Sequence, residues 1–308
     1  MIHFHAPAKL NLYLRVLGKR PDGYHEIETL FERIDLADEL TFESAADDIR
    51  LTCSDPSLSC GEDNLVLKAA RLLQQISGTR QSARIHLQKQ IPIGAGLGGG
   101  SSDAATTLQG LNKLWGLGLS RQQLITLGAQ LGSDVAFFLH EAPFAIGRGR
   151  GERCEPVQTD LTLWQVLVFP HQSLSTKDIY AEWGSLKTGL TASPPSINMI
   201  EHALRNGPVI TGLAQGLWND LEPAAIRRCP VITQIQSQLQ TAGCLSAHVS
   251  GSGSSVFGLC QDEPHAQDVM RHLQRYTPSW WTRIVHTERG SVPLEREDHK
   301  VSVRPIGE

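Results

Sequence analysis

The chain has 308 residues, 40% of them hydrophobic and 19% charged, the balance of a folded globular protein long enough for two domains. A formal net charge of −4 argues against a nucleic-acid binder that works by phosphate neutralisation, and no apolar run approaches the roughly 18 residues that span a bilayer. Met1 to His5 carries neither a basic region nor an apolar signal core, so a cytoplasmic protein is expected, with its six scattered cysteines reduced and mostly packed.

Residues 4–16 alternate, with Leu10, Leu12, Leu14 and Val16 on one side and Lys9, Asn11, Tyr13 and Arg15 on the other, which predicts a half-buried strand with one polar face. His3 and His5 on it read as strand surface and not as a metal site. The turn signal Arg20-Pro21-Asp22-Gly23 and a returning strand over residues 26–36 place Tyr24 and His25 at a strand mouth. Short strands are expected at 39–43 and 49–53, completing an antiparallel set. A helix then starts at Asp63 or Asn64, carries Leu65, Val66, Ala69, Leu72, Leu73 and Ile76 on its apolar face and stops at Gly78. Residues 84–87 form a strand that leads into a glycine-rich run.

That run, Pro92-Ile-Gly94-Ala-Gly96-Leu97-Gly98-Gly99-Gly100-Ser101-Ser102, leaves its backbone free to take positive φ and lets a ligand approach the main chain. Ala104, Leu108, Leu111 and Trp115 behind it have helical spacing, so the glycines pour into a helix N-terminus, where free N–H groups suit a phosphate. A flexible linker would be longer and Ser/Gly-mixed. Gly94-x-Gly96-x-x-Gly99 satisfies the dinucleotide fingerprint literally, but no Asp or Glu lies between Asp103 and Asp134 to hold a ribose, and no Lys follows the glycines as in a Walker loop.

Further along, Ser120-x-x-Gln123 is a capping box opening a helix with Leu124, Leu127 and Leu131 that ends near Gly132. Ser133 and Asp134 precede the apolar Val135-Ala136-Phe137-Phe138-Leu139, where Asp134 reads locally as a helix cap. Gly147 to Glu152 makes a second, locally basic glycine loop, and composition shifts near 155. The second half reads as a strand at 163–169, a Thr/Ser/Pro-rich connection at 188–196 and helices around 198–205 and 231–239. A strand at 245–249, a Gly/Ser turn at 250–255, a strand at 256–260, a helix from near Pro264 and a strand at 280–286 complete a two-layer α+β unit. The tail from Gly290 is expected to be poorly ordered.

Four segments combine: Ala6-Pro7-Ala8-Lys9-Leu10-Asn11-Leu12, the glycine run ending in Asp103, Leu131-Gly132-Ser133-Asp134-Val135, and Ser250-Gly251-Ser252-Gly253-Ser254-Ser255. In order and spacing they resemble the signatures of the GHMP small-molecule kinases over nearly the whole chain. Asp22-Gly23-Tyr24-His25-Glu26 and Gly147 to Glu152 narrow the resemblance to the branch whose substrate carries a cytidine diphosphate. Ala136 departs from it, since the family usually has Pro there; this touches local geometry and not the chemistry.

The resemblance implies an α+β, two-domain GHMP kinase fold. Residues 1–155 would be the ATP-binding domain, with a topology some ribosomal proteins share, and residues 156–308 a two-layer α+β domain, the active site lying in the cleft between them. It implies ATP as phosphoryl donor, with Mg²⁺ on its phosphates, and a small-molecule acceptor phosphorylated on a hydroxyl. By this likeness Gly96, Gly98, Gly99, Gly100 and Ser101 wrap the ATP phosphates, with Pro92, Gly94, Leu97 and Ser102 in the same loop and a hydroxyl of Ser101 or Ser102 near the metal. Asn64 and Leu65 fall in the adenine-contacting segment, an assignment that competes with simple helix capping.

Asp134 is then the carboxylate that accepts the substrate's hydroxyl proton, with Lys9 beside it orienting that hydroxyl and Asn11 on the same strand face. Tyr24 and His25 are the cytidine readers, Tyr180 a second stacking face, and Gly251 and Ser252 part of a backbone nest, or of a tight hairpin. Homoserine, mevalonate and galactose kinases are rivals, which an aromatic base reader disfavours. A dinucleotide-dependent oxidoreductase and a non-catalytic nucleotide- or RNA-binding module are disfavoured by the missing ribose acid and by the Lys9 and Asp134 pair. A monomer or weak homodimer acting on a small molecule, without nucleic acid or membrane, is expected.

Overall fold

The computed structural model describes residues 1–186, 194–206, 210–276 and 279–289. Two long antiparallel strands, β1 (Ile2–Lys19) and β2 (His25–Ala45), open the chain and frame everything after them. They are followed by β3 (Arg50–Cys53), α1 (Leu65–Ser77), β4 (Ser82–Gln88), α2 (Gly99–Leu114), α3 (Arg121–Leu131), α4 (Val135–Phe138), β5 (Phe144–Gly149) and β6 (Arg153–Val157). Next come β7 (Trp164–Phe169), α5 (Thr176–Leu186), α6 (Ile197–Asn206), α7 (Ile210–Gly216), β8 (Trp218–Asn219) and α8 (Glu222–Arg228). The last elements are α9 (Val231–Thr241), β9 (Ser246–Val249), β10 (Val256–Cys260), α10 (Glu263–Tyr276) and β11 (Trp281–His286).

The architecture is α+β. A seven-stranded sheet runs β3-β4-β2-β1-β8, with β5 on β2 and β6 on β5, and a four-stranded sheet runs β11-β7-β10-β9. Phe31, Leu40, Phe42, Leu108, Leu111 and Phe137 pack in one core between the first sheet and the helices after it. A second core joins Leu10, Leu12 and Leu30 of the first sheet to Leu167, Phe257 and Val285 of the second. A third holds Val166 and Val168 against Ile232, Ile235, Leu239 and Val269 of α9 and α10. The two halves also interlock through main chain. The short β8 pairs in parallel with Tyr13 and Leu14 of β1, and Glu288 N donates to Arg33 O at 2.9 Å.

Local signals place the helix ends as expected. Asn64 caps α1 by accepting from Val66 N, Gly78 closes it with φ 66°, and Ser120 with Gln123 forms the full capping box of α3. Four expectations need correction. β1 is not half-buried, because Lys9, Asn11 and Tyr13 are all buried: the glycine loop and the Ser250 turn cover its polar face. Residues 39–43 are not a separate strand but the second half of β2, whose apparent break contains the buried Asp38. β3 runs parallel to β4, with α1 crossing between them, so the set is mixed and not antiparallel. In α1 the buried stripe is Val66, Leu67, Ala69, Ala70 and Leu73, while Ile76 in the last turn is exposed.

The connection expected at 188–196 lies mostly outside the described residues, as does the tail from Gly290. All six cysteines are free thiols, and Cys229, Cys244 and Cys260 are buried. Among the described residues no helix is long and apolar enough to cross a membrane.

Candidate active site

The glycine run leaves β4 and enters α2 with Gly98 as N-cap at φ 70°, so no side chain occupies the first N–H groups of the helix. The loop is strapped on both sides. Lys9 N donates to Leu97 O at 2.9 Å, and Ser255 N donates to Ala95 O at 3.1 Å. Gly96 shows why the position is glycine: at φ 79° a Cβ would sit 2.2 Å from Ser250 O. The main chain of the loop is therefore clamped between β1 and the Gly/Ser turn, and its residues 92–101 line the cleft.

β-Bulges after Pro7 and Asn11 flank the segment of β1 that carries Lys9 and Asn11 on one face. Lys9 Nζ donates to Asn11 Oδ1 and, at 3.0 Å, to Gly96 O, and it lies 3.7 Å from Asp134 Oδ2. Burial lowers the pKa of Lys9, and Asp134 works against that shift. Asn11 is fixed in turn, its Nδ2 donating to Thr29 Oγ1 at 2.8 Å and its N–H to Ser250 Oγ at 3.2 Å. Asp134 precedes α4 with helical φ and ψ and makes no side-chain capping bond, so its carboxylate is not spent on the helix. Gly151 at φ 109° lets the loop between β5 and β6 pass close by, a Cβ there falling 3.7 Å from Asp134 Oδ1.

A second charged group supports the loop from beneath, and the sequence did not reveal it. Lys89 Nζ donates to Asp38 Oδ2 and, at 3.1 Å, to Asp103 Oδ2, while Asp38 Oδ1 accepts from Ile91 N at 2.9 Å. Burial opposes the charge on Lys89, but the two carboxylates outweigh it and hold its pKa up. Asp103 is pushed up by its burial, with Asp38 adding to the effect, and its Oδ1 has no partner. The register that sets Glu39 opposite Gln88 is what brings Asp38 and Lys89 together, and no local motif encodes that.

At the opposite end the walls are side chains. Tyr24 is 54% exposed at the tip of the β1–β2 turn, with the Arg150 guanidinium 4.8 Å from its ring centroid. His25 stacks on Tyr180 of α5 at 4.7 Å and 21°, and Trp183 meets His25 edge-on at 5.8 Å. Thr176 Oγ1 and Ser252 Oγ share a hydrogen bond of 3.0 Å. Residues 250–255 form the hairpin turn between β9 and β10, of which Gly251 and Ser252 also face the cleft, with Asn219 Nδ2 donating to Val249 O and Gly251 O, both at 2.8 Å.

These groups line one cleft of about 1250 Å³. Every candidate named from the sequence stands on its wall except Ser102, which is fully buried with a hydroxyl that has no partner. Asn64 caps α1 and also faces the cleft beside Leu65, so the two readings of that segment coexist. Lys89, Arg150 and Thr176 join the wall without having been singled out.

Family models match twice, "GHMP kinases N terminal domain" over residues 64–142 and "GHMP kinases C terminal" over residues 200–278. A 4-diphosphocytidyl-2-C-methyl-D-erythritol kinase from a Geobacter species is 40% identical over 287 residues, covering 92% of this chain and 97% of the relative. One from Pelotomaculum thermopropionicum is 42% identical over 271 residues, covering 88% and 93%. A crystal structure of 4-(cytidine 5'-diphospho)-2C-methyl-D-erythritol kinase is similar with a TM-score of 0.75 and 33% identity, covering 93% of this chain and 100% of that one. Homoserine kinase from Cytophaga hutchinsonii, at 20% identity and a TM-score of 0.68 over 93% of this chain and 94% of its own, shares the fold.

Proposed function

The chain belongs to the GHMP kinases, in the family of the 4-diphosphocytidyl-2-C-methyl-D-erythritol kinases, and from that membership we propose how its cleft divides the work of phosphorylating this substrate. The enzyme is an ATP-dependent small-molecule kinase of isoprenoid precursor synthesis, and in our reading the phosphoryl group goes to the 2-hydroxyl of the methylerythritol. Phosphoryl transfer asks mainly for positioning and for stabilisation of charge around a loose transition state. The loop from Pro92 to Ser101 and the first turn of α2 hold the ATP phosphates by main-chain N–H groups, and Asn64 and Leu65 border the adenine.

Asp134 accepts the proton of the attacking hydroxyl. Lys9, anchored by Asn11 and Gly96 O, holds that hydroxyl and the carboxylate in register. Tyr24 stacks on the cytosine, His25 addresses its edge, and Tyr180 both backs His25 and offers a second face. Gly251 and Ser252 close the pocket over the polyol. The observation that carries the reading is the Lys9 to Asp134 contact of 3.7 Å, placed where the glycine loop and the Gly/Ser turn meet.

Mg²⁺ fits this site as a companion of the phosphates and not as a caged ion. Among the described residues no group of three or more His, Cys, Asp or Glu could hold it, whereas Ser101 is on the wall and the Ser102 hydroxyl is unpartnered. Bound there, it would neutralise phosphate charge. We place the boundary between the domains near residue 155, in β6, and read the molecule as a cytoplasmic monomer or weak homodimer. A substrate panel with MgATP tests the assignment: turnover is expected with the cytidine diphosphate methylerythritol and not with homoserine or mevalonate. Preference for either of the latter would overturn it.

A further inference from the structure

We propose that Arg150 is a positioning residue for substrate recognition, its guanidinium backing one face of the Tyr24 ring so that the other is presented to the pyrimidine of a nucleoside diphosphate. The inference rests on the reading of Tyr24 as a base-stacking residue and assigns a role to a neighbour that the reading leaves unused.

Tyr24 sits on an exposed turn, where its N–H donates to Asp22 Oδ1 at 3.1 Å and the residue is 54% exposed. Among the described residues no aromatic ring stacks on it, and Arg150, 4.8 Å from the centroid, is the cation over it. Left alone, such a ring would sample several rotamers and lose that freedom on binding a base. Arg150 removes part of this cost beforehand because it is itself held. It lies in the turn between β5 and β6, flanked by Gly149 at φ 76° and Gly151 at φ 109°. Its N–H donates to Glu152 Oε2 at 2.6 Å, and its Nε lies 4.0 Å from the same oxygen.

The same turn passes close to Asp134 at Gly151, so one short loop runs beside the proposed catalytic carboxylate at one point and backs the base-reading ring at the next. A guanidinium suits both demands: it stacks flat on a ring while keeping N–H groups for a carboxylate.

The test is a double-mutant cycle on the full chain, measuring KM for the cytidine diphosphate substrate at saturating ATP. Arg150→Ala is expected to raise that KM about 2- to 5-fold, the range of an exposed cation–π contact, with kcat and the KM for ATP little moved. Arg150→Lys should recover part of the loss. In a Tyr24→Ala background Arg150→Ala should add nothing, because its effect runs through the ring. The same proportional rise in both backgrounds would make Arg150 a direct substrate contact and overturn the inference. So would a silent Arg150→Ala beside a Tyr24→Ala that raises KM, which leaves the stacking reading standing. A Tyr24→Ala that itself leaves KM unchanged would remove the stacking reading and this inference together.

Discussion

At one end of the cleft the contacts offered to a ligand are main-chain groups, held by Lys9 N, Ser255 N and Ser250 Oγ bonded to carbonyls of the glycine loop; at the other they are side chains of Tyr24, His25, Tyr180 and Arg150. The first end is over-determined. Gly96 has no room for a methyl group, and Lys89 with two carboxylates braces the loop from below. The second is an exposed turn and a stack of rings across two elements. In the division proposed above, the ATP phosphates are held by main-chain geometry that a side chain at Gly96 would disturb, while proton transfer falls to the Asp134 and Lys9 side chains between the two ends. The choice of acceptor we assign to exposed side chains such as Tyr24, which can be exchanged without moving the fold.

The largest effect is expected at the main-chain end. Gly96→Val would force an L-residue into φ 79° against Ser250 O, and calorimetric titration is expected to find no measurable ATP affinity while the helical circular-dichroism signal persists. Wild-type affinity would mean that the loop does not hold the phosphates. At the side-chain end Tyr24→Ala should raise the KM of the cytidine substrate about 10-fold, within the range of a lost base stack, and leave the KM for ATP in place. An equal rise in both would erase the distinction between the two ends.

A smaller effect separates the working carboxylate from a structural one. Glu32 is buried where the two sheets meet, accepting from Gln165 Nε2 at 2.7 Å and from Thr287 Oγ1 at 2.6 Å. Burial pushes its pKa up from 4.5 to about 8, against the opposing pull of those two bonds, while Asp35 adds to the rise. The folded state thus keeps a proton that the unfolded chain releases between pH 4.5 and about 8, so stability falls as pH rises through that window and levels off above it. Glu32→Gln, which carries no such proton, should show a flatter dependence, the two curves diverging by at least about 1 kcal/mol between pH 5 and pH 8 in denaturant titrations. Parallel curves would show that Glu32 does not titrate on unfolding.

What could be read from residue order alone follows the same division. The glycine loop, the Asn64 and Gly78 caps and the capping box of α3 were legible because each is a local rule about φ or about an unpaired N–H. The segment around Asp38 misled the reading of β2, since the carboxylates Asp35, Asp38 and Glu39 between apolar residues resemble a break. Here Asp38 is a buried anchor satisfied by Lys89 and by main-chain donors 51 or more residues away in the sequence. Asp134 read locally as a cap and took the base role only through the resemblance; its backbone angles, the lack of a capping bond and its place beside Lys9 agree with the second reading. The stacking of His25 on Tyr180 and of Arg150 on Tyr24 depends on how β2, α5 and the loop after β5 meet, and no spacing rule reports that.

The central claim is that Asp134, beside Lys9, takes the proton of the acceptor hydroxyl. Asp134→Asn keeps the shape and removes the base, so kcat with the cytidine diphosphate substrate and MgATP is expected to fall by at least about 10²-fold while both KM values stay within a few-fold of wild type. Turnover close to the wild-type rate would contradict the account.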